Sequence, residues 1–167
     1  MAVTRSNVLV GIGTFSIAET DVGSTLGGVT IEKSVDYFEK KVDQVLDAIA
    51  LAPIANKMSV KTNIAEGTLE NLKIVWNEAS TISSTAGGRT LAGGLTTAVT
   101  ERTITFNGKS PEGFNRTYTF HKVVGVGASA HAVKKDDMVQ FPVEFRVLPD
   151  LTKSAGAEYY TVLDNPS

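Results

Sequence analysis

The sequence predicts a mainly β domain, an antiparallel β-sandwich or half-barrel carrying one flanking α-helix. Runs in which apolar and polar residues alternate recur through the second half of the chain, the pattern of strands buried on one face. A single segment, "TLENLKIVWNEA", carries strong helical spacing together with a start signal. Stretches rich in glycine and hydroxylated residues separate these runs, as expected of strands joined by turns.

Taken in order, the first 28 residues are interrupted by Gly11, Gly13, Gly23, Gly27 and Gly28 and read as an extended, loop-like lead-in. "VTIEKS" at 29–34 begins the first strand. Residues 42–50 then change period: Val42, Val45, Leu46 and Ile49 fall on one helical face. Beyond Pro53, Met58, Val60, Thr62 and Ile64 alternate with Lys57, Ser59, Lys61 and Asn63, giving a strand over 57–65. The helix is expected at about residues 68–78, with Thr68 as N-cap and Leu69, Leu72, Val75 and Trp76 on its inner side. Residues 80–94, "STISSTAGGRTLAGG", cannot bury much apolar area and read as a flexible surface loop.

The rest is strand after strand. Ile104 and Phe106 alternate with Thr103 and Thr105 ahead of Asn107-Gly108, a hairpin-turn dipeptide. Tyr118 and Phe120 continue a second alternating run. In "QFPVEFRVL", Phe141, Val143, Phe145 and Val147 share one face, and Pro142 requires an edge strand or an unpaired position, because it has no N–H to donate. "EYYTVL" at 158–163 closes the domain. The expected core therefore includes Leu69, Leu72, Trp76, Phe141, Val143, Phe145 and Val147.

At 167 residues the chain suits one domain with a substantial core. Sixteen Lys plus Arg against eighteen Asp plus Glu leave a net charge of −2, which gives no basic footprint for reading nucleic-acid sequence. There is no cysteine, so disulfides, thiolate metal sites and a cysteine nucleophile are excluded. The N-terminus lacks a signal-peptide layout and no apolar run is long enough to span a bilayer as a helix, so folding in a cytoplasm is expected. In that setting Asn115-Arg116-Thr117 carries no glycosylation argument.

Catalytic and metal chemistry find little to build on. The histidines are His121 and His131; Ser129 lies two positions before His131, but no pattern orients a triad. Asp136-Asp137, flanked by Lys134 and Lys135, has the composition of a solvated loop. "GVGASA" at 125–130 fits a dinucleotide fingerprint in letters only, because the phosphates need a parallel strand before the glycines and a helix after them. The expectation is therefore of no catalytic, cofactor-binding or metal-ligating residues, no cofactor, and no enzyme activity.

From Asp43-Gln44 onward the chain resembles a known family, the major tail tube proteins of tailed bacteriophages. In that family an Asp-Gln pair precedes a variable, proline-containing segment and an alternating strand that runs into a block matched here by "AEGTLENL" at 65–72. "VGSTLGGVTIE" at 22–32 resembles the family's Gly-rich start of its first long strand. "VQFPVEFRVLPDLTKSAG" at 139–156 resembles its penultimate strand and the turn that follows. The three blocks span most of the chain from residue 22. "LDAIALAPIAN" departs from the pattern, being more helix-like than the family's extended hairpin.

The resemblance implies a single tail tube domain over 1–167, assembling as hexameric rings that stack into a hollow tube for DNA delivery. It implies a long protruding β-hairpin at 35–65 that contacts a neighbouring ring through Leu46, Ile49, Leu51, Pro53 and Ile54, so that 42–50 is an extended arm where its period suggests a helix. Implied partners are further copies of the chain, other tail proteins (tape measure, tail-end proteins, and a sheath where the tail contracts), and phage DNA passing without sequence-specific binding. No membrane binding is implied. The location would be the virion tail, after synthesis in the bacterial host cytoplasm. A related tail-end or secretion-system tube component, or a β-sandwich binding module using Tyr159 and Tyr160, are the other readings.

Overall fold

The computed structural model describes residues 13–41, 43, 47–78, 80–94, 99–110, 113–126 and 140–165. They form a mainly β architecture with one helix: β1 (Thr14–Ile17), β2 (Thr20–Asp21), β3 (Thr25–Lys40), β4 (Ala50–Ile64), α1 (Leu69–Val75), β5 (Ser83–Thr85), β6 (Gly88–Thr90), β7 (Arg102–Lys109), β8 (Asn115–Val126), β9 (Phe141–Leu148) and β10 (Tyr160–Asn165). Eight strands make one antiparallel sheet in the order β2-β1-β7-β8-β9-β4-β3, with β10 joined to β8; β5 and β6 make a separate hairpin.

The large sheet is continuous yet encloses one core, so it has to curve. One long edge of β8 runs beside β7. Its other edge is shared: Asn115–Phe120 pair with β10, whereas Lys122–Val126 pair with β9. A bulge lies at the changeover, where Ile104 faces Phe120 but Arg102 faces Val123. Phe15 and Ile17 from β1, Ile104, Phe120 and Val123, and Val60, Ile64 and Phe145 from the far side all join a single buried cluster. This is the half-barrel form of the expected architecture.

Alternation predicts β9 residue by residue. Phe141, Val143, Phe145 and Val147 are buried, and the intervening Pro142, Glu144 and Arg146 are exposed. β9 is an interior strand, paired with β4 from Phe141 to Val147 and with β8 from Glu144 to Leu148, and Pro142 stands opposite Asn63 of β4.

The helix begins where expected and ends early. Thr68 Oγ1 accepts from Asn71 N at 3.2 Å, and the helix closes at Val75 with Trp76 as C-cap. Asn71, Ile74 and Val75 are buried; Leu72 is half-buried against the core and Leu69 is half-buried. Trp76, expected inside, is 45% exposed. The inward stripe is turned by about one residue because Asn71 is drawn in to hydrogen-bond, its Nδ2 donating to Val22 O at 3.0 Å and Glu66 O at 2.9 Å. Glu66 in turn accepts from Ser24 N at 2.9 Å. Gly23 makes this clasp possible: its φ is 76° and a Cβ there would sit 2.1 Å from the Glu66 carboxylate.

Four further expectations are corrected. The lead-in is not loop-like: within the described part it holds β1, β2 and the start of β3, and buries Phe15, Ile17 and Val22. Its turn was illegible because Ala18 and Glu19, at φ 49° and 64°, occupy positions that usually read Asn-Gly. Conversely, Asn107-Gly108 is not a turn. Both residues pair with β8, Asn107 accepts from Thr117 Oγ1 at 2.8 Å, and the reversal falls at Ser110–Phe114 around Gly113, whose φ is 86°. Within 80–94, β5 and β6 form a hairpin in place of the expected loop, closing at Gly87 and tied to α1 by an Arg89–Glu70 ion pair. In 42–50, residues 42 and 44–46, Leu46 among them, lie outside the described residues. Asp43 and 47–49 are not helical and Ala50 already opens β4, so the return strand begins well before residue 57.

Two stability measurements check this account. Phe145→Ala removes a side chain that is 1% exposed and should cost about 3–5 kcal/mol in urea unfolding. Replacing Ala18-Glu19 by Asn-Gly should stabilise by about 0.5–2 kcal/mol, by relieving two left-handed non-glycine residues.

Candidate functional site

The most distinctive surface is the outer half of the β3–β4 hairpin. β4 pairs with β9 only from Met58 to Ile64, so beyond Lys33 and Met58 the two strands have each other and, among the described residues, no third strand. Here Tyr37, Phe38, Ile49, Leu51 and Ile54 are each 54–67% exposed. Directly opposed residues share a face of a β-ribbon. Tyr37 stands opposite Pro53 and Glu39 opposite Leu51 on one face, whereas Phe38 stands opposite Ala52 on the other. A register shift at Asp36/Tyr37 places Ile54 as the extra residue of a bulge. The arm is therefore apolar on both faces, far beyond the scattered exposure normal for a monomer.

Oppositely charged side chains pair along this ribbon and its root. Lys57 meets Asp36 at 2.6 Å and Lys61 meets Glu32 at 2.7 Å, with Glu144 3.8 Å from Lys61; Lys41 and Glu39 pair at 2.8 Å. The hydrogen bond to Glu32 holds the Lys61 ammonium above its ordinary pKa. The arm's edges differ: β4 carries the Pro53 bulge, a device that blunts strand addition, whereas the outer edge of β3 from Val29 to Lys40 has neither proline nor glycine.

Of the residues expected in the arm contact, Ile49, Leu51, Pro53 and Ile54 are brought together on it and exposed, while Leu46 is outside the described residues. Tyr37 and Phe38 were missed. Their signal was present in "VDYFEK", two adjacent aromatics inside a charged run, but adjacent strand residues face opposite sides and neither belongs to an alternating stripe.

At the root of the hairpin the sheet and α1 leave a cleft of about 670 Å³. Its lining combines Phe145, Trp76 and Val126 with Lys61, Glu144 and the Gly27-Gly28 bulge. The Trp76 side is held by Arg102, which is buried to 9% exposure on β7 and donates to Asn77 Oδ1 and, at 3.2 Å, to Glu78 O. A cation at a helix C-terminus is favourable, and burial lowers the guanidinium pKa from its usual value. Asn77 is fixed in the left-handed region at φ 54°.

The remaining candidate residues do not converge. His121 lies in β8 at the changeover of partners, its backbone N donating to Tyr159 O at 3.2 Å and its Nε2 buried without a hydrogen-bond partner among the described residues. His131, Ser129 and Asp136-Asp137 lie outside the described residues. Gly125 and Val126 of the "GVGASA" run end β8, whose pairings are antiparallel, and residues 127–130 are outside the described part. Tyr159 and Tyr160 are both half-buried against the core rather than displayed on a platform. Among the described residues no group of three or more acidic or histidine side chains could hold a metal ion, and no helix is long and apolar enough to cross a membrane.

No protein-family model matches the chain, and no curated relative matches it.

The C-terminal strand supplies a measurable electrostatic contact. Arg116 donates to both Asp164 oxygens, at 2.7 and 2.6 Å, pinning β10 onto β8. These bonds hold the Asp164 carboxyl below the ordinary carboxylate range. The contribution is therefore complete above the ordinary pKa, about 3.9, and is lost as pH falls through the lower folded value. At neutral pH, Asp164→Asn should speed amide exchange in β10 relative to the parent; the difference should shrink as pH falls through the lowered folded value, where the Asp164 carboxyl takes up its proton.

Proposed function

We propose that this protein is a structural subunit of a phage-type tail tube, self-assembling into rings that stack around a channel through which DNA passes. The observation that carries this reading is the two-faced apolar arm. A ribbon with five large apolar side chains more than half exposed is costly in water and is suited to a contact with another molecule. The resemblance in "AEGTLENL" supports it, because those residues do identifiable work: Glu66 and Asn71 clasp the Val22–Ser24 segment to the helix that follows the hairpin's return strand, and Thr68 caps that helix.

Lateral association has its own support. Among the described residues, the outer edge of β3 and the outer edge of β10 lack a neighbouring strand in the sheet order, and one copy's edge paired with another's would be a heterologous contact that closes as a ring. A nearly neutral chain also suits a conduit, since a strongly cationic lumen would retain phosphates by counterion release. In this reading the subunit is not an enzyme, needs no cofactor, meets other tail proteins at the tube ends, and resides in the virion tail.

Electron microscopy of the purified protein at rising concentration tests the proposal, with rings or tubes expected; a strictly monomeric protein would overturn it. Deleting residues 47–56 should leave a cooperatively folded domain that no longer stacks. Tubes of normal length from that variant would show that the arm is not the stacking device.

A further inference from the structure

We propose that the inserted residue Ile54 is a joint that sets the direction in which the outer arm leaves the domain. The inference concerns a single copy of the chain and holds whether or not copies assemble. Between the Gly27-Gly28 bulge and Asp36, eight consecutive pairs, from Val29–Thr62 to Asp36–Ala55, run in one register. β9 supports the inner part as far as Met58, and the Lys57–Asp36 ion pair at 2.6 Å braces the remainder. This stretch is a regular stalk. Directly beyond it β4 carries the extra residue Ile54, and four pairs follow in a new register, from Tyr37–Pro53 to Lys40–Ala50. An extra residue lengthens one strand against its partner, so the ribbon bends there and its right-handed twist increases. Pro53 loosens the same point: without an N–H, its pair with Tyr37 keeps at most one of the two hydrogen bonds that an opposed pair exchanges.

Nothing in the core requires the insertion. Ile54 is 67% exposed, and neither Pro53 nor Ala55 belongs to the buried cluster. The effect falls on the arm instead. On β4 the even-numbered Met58, Val60 and Ile64 are buried, so an uninterrupted alternation would turn Leu51 and Pro53 to the face of Lys57, Ser59 and Lys61. Because one residue is inserted, Leu51 and Pro53 stand opposite Glu39 and Tyr37, on the side of β3 that carries Ile31, Lys33 and Val35. The insertion thus decides both where the outer segment points and which of its side chains share a face. Blunting of the β4 edge is a separate role, which Pro53 performs alone.

Spin labels can be placed freely in a chain without cysteine. One label goes on the arm at Ala50→Cys and the other on the body, at Arg146→Cys in β9 or at Thr161→Cys in β10, all three positions being exposed. Each pair is built into the full-length parent, into Ile54→Ala and into a variant lacking Ile54, and is measured by pulsed electron paramagnetic resonance. Excess unlabelled protein restricts the distances to those within one copy. Deleting Ile54 lets the register of the stalk run on to Lys40–Ala50 with the same residues opposed, so the faces are kept and the bend alone is removed. Four pairs span about 13 Å, so a change of direction of about 25° moves the arm label by roughly 5 Å. The expected result is a shift of that size in at least one distance on deletion and none in Ile54→Ala, with the melting transition and the amide protection of Tyr37–Lys40 retained. Unchanged distances in the deletion variant would overturn the inference. So would an equal shift in Ile54→Ala, which would assign the effect to the side chain, or loss of the outer amide protection on deletion, which would make the insertion a requirement for pairing and not for direction.

Discussion

The structure depends on β8 exchanging neighbours at His121. One edge of the strand must serve β10 for its first half and β9 for its second, and a sheet asked to do this at a single strand cannot stay flat. The bulge opposite Thr103 supplies the bend. As a result β1 and β7 arrive over the same apolar interior as β4 and β9, and a chain with one short helix closes a core that would otherwise need a second sheet or several helices. The buried Nε2 of His121, without a partner among the described residues, sits at this corner.

A second constraint operates at the helix. α1 is only seven residues long and would be marginal alone. It persists because its two ends are held from outside: Asn71 and Glu66 by the Val22–Ser24 segment, and the C-terminal turn by Arg102 from β7. The bonds to Val22 and Ser24 reach across 49 and 42 residues, so the helix behaves as a clamp between the N-terminal strands and the long hairpin.

What could be read from the sequence follows from how local each signal is. β9 was legible to the residue because one of its faces is buried and the other is wet, and Thr68 announced the helix start through its own side chain. The hairpin was legible only through resemblance, since Val42, Val45 and Ile49 share a helical period and nothing in the local pattern says that strands will pair there. Trp76 misled because a stripe counted along the sequence assumes a longer helix and an apolar Asn71 position; a buried asparagine satisfied by two distant carbonyls has no local signature. Arg102 was equally invisible, as a basic residue in an alternating strand reads as solvent-facing. At the candidate contact surface, Ile49, Leu51, Pro53 and Ile54 were found and Tyr37 and Phe38 were not, because neighbouring aromatics on opposite faces break the period that a search relies on.

The solitary outer half of the hairpin also bears on timing. Its hydrogen bonds are made only between its own two strands, and a two-stranded ribbon is at best marginally stable in water. Opening it disturbs none of the buried cluster, so the arm forms a low-stability unit on a much firmer body. Any surface that covers it must first offset the entropy of fixing it, which makes the first association event the hardest and leaves later ones, with a template in place, comparatively easy. In the assembly proposed above, the exposed apolar residues of such an arm would carry their own brake: at low concentration the chain would be produced without clumping, and growth would begin only once a nucleus had formed.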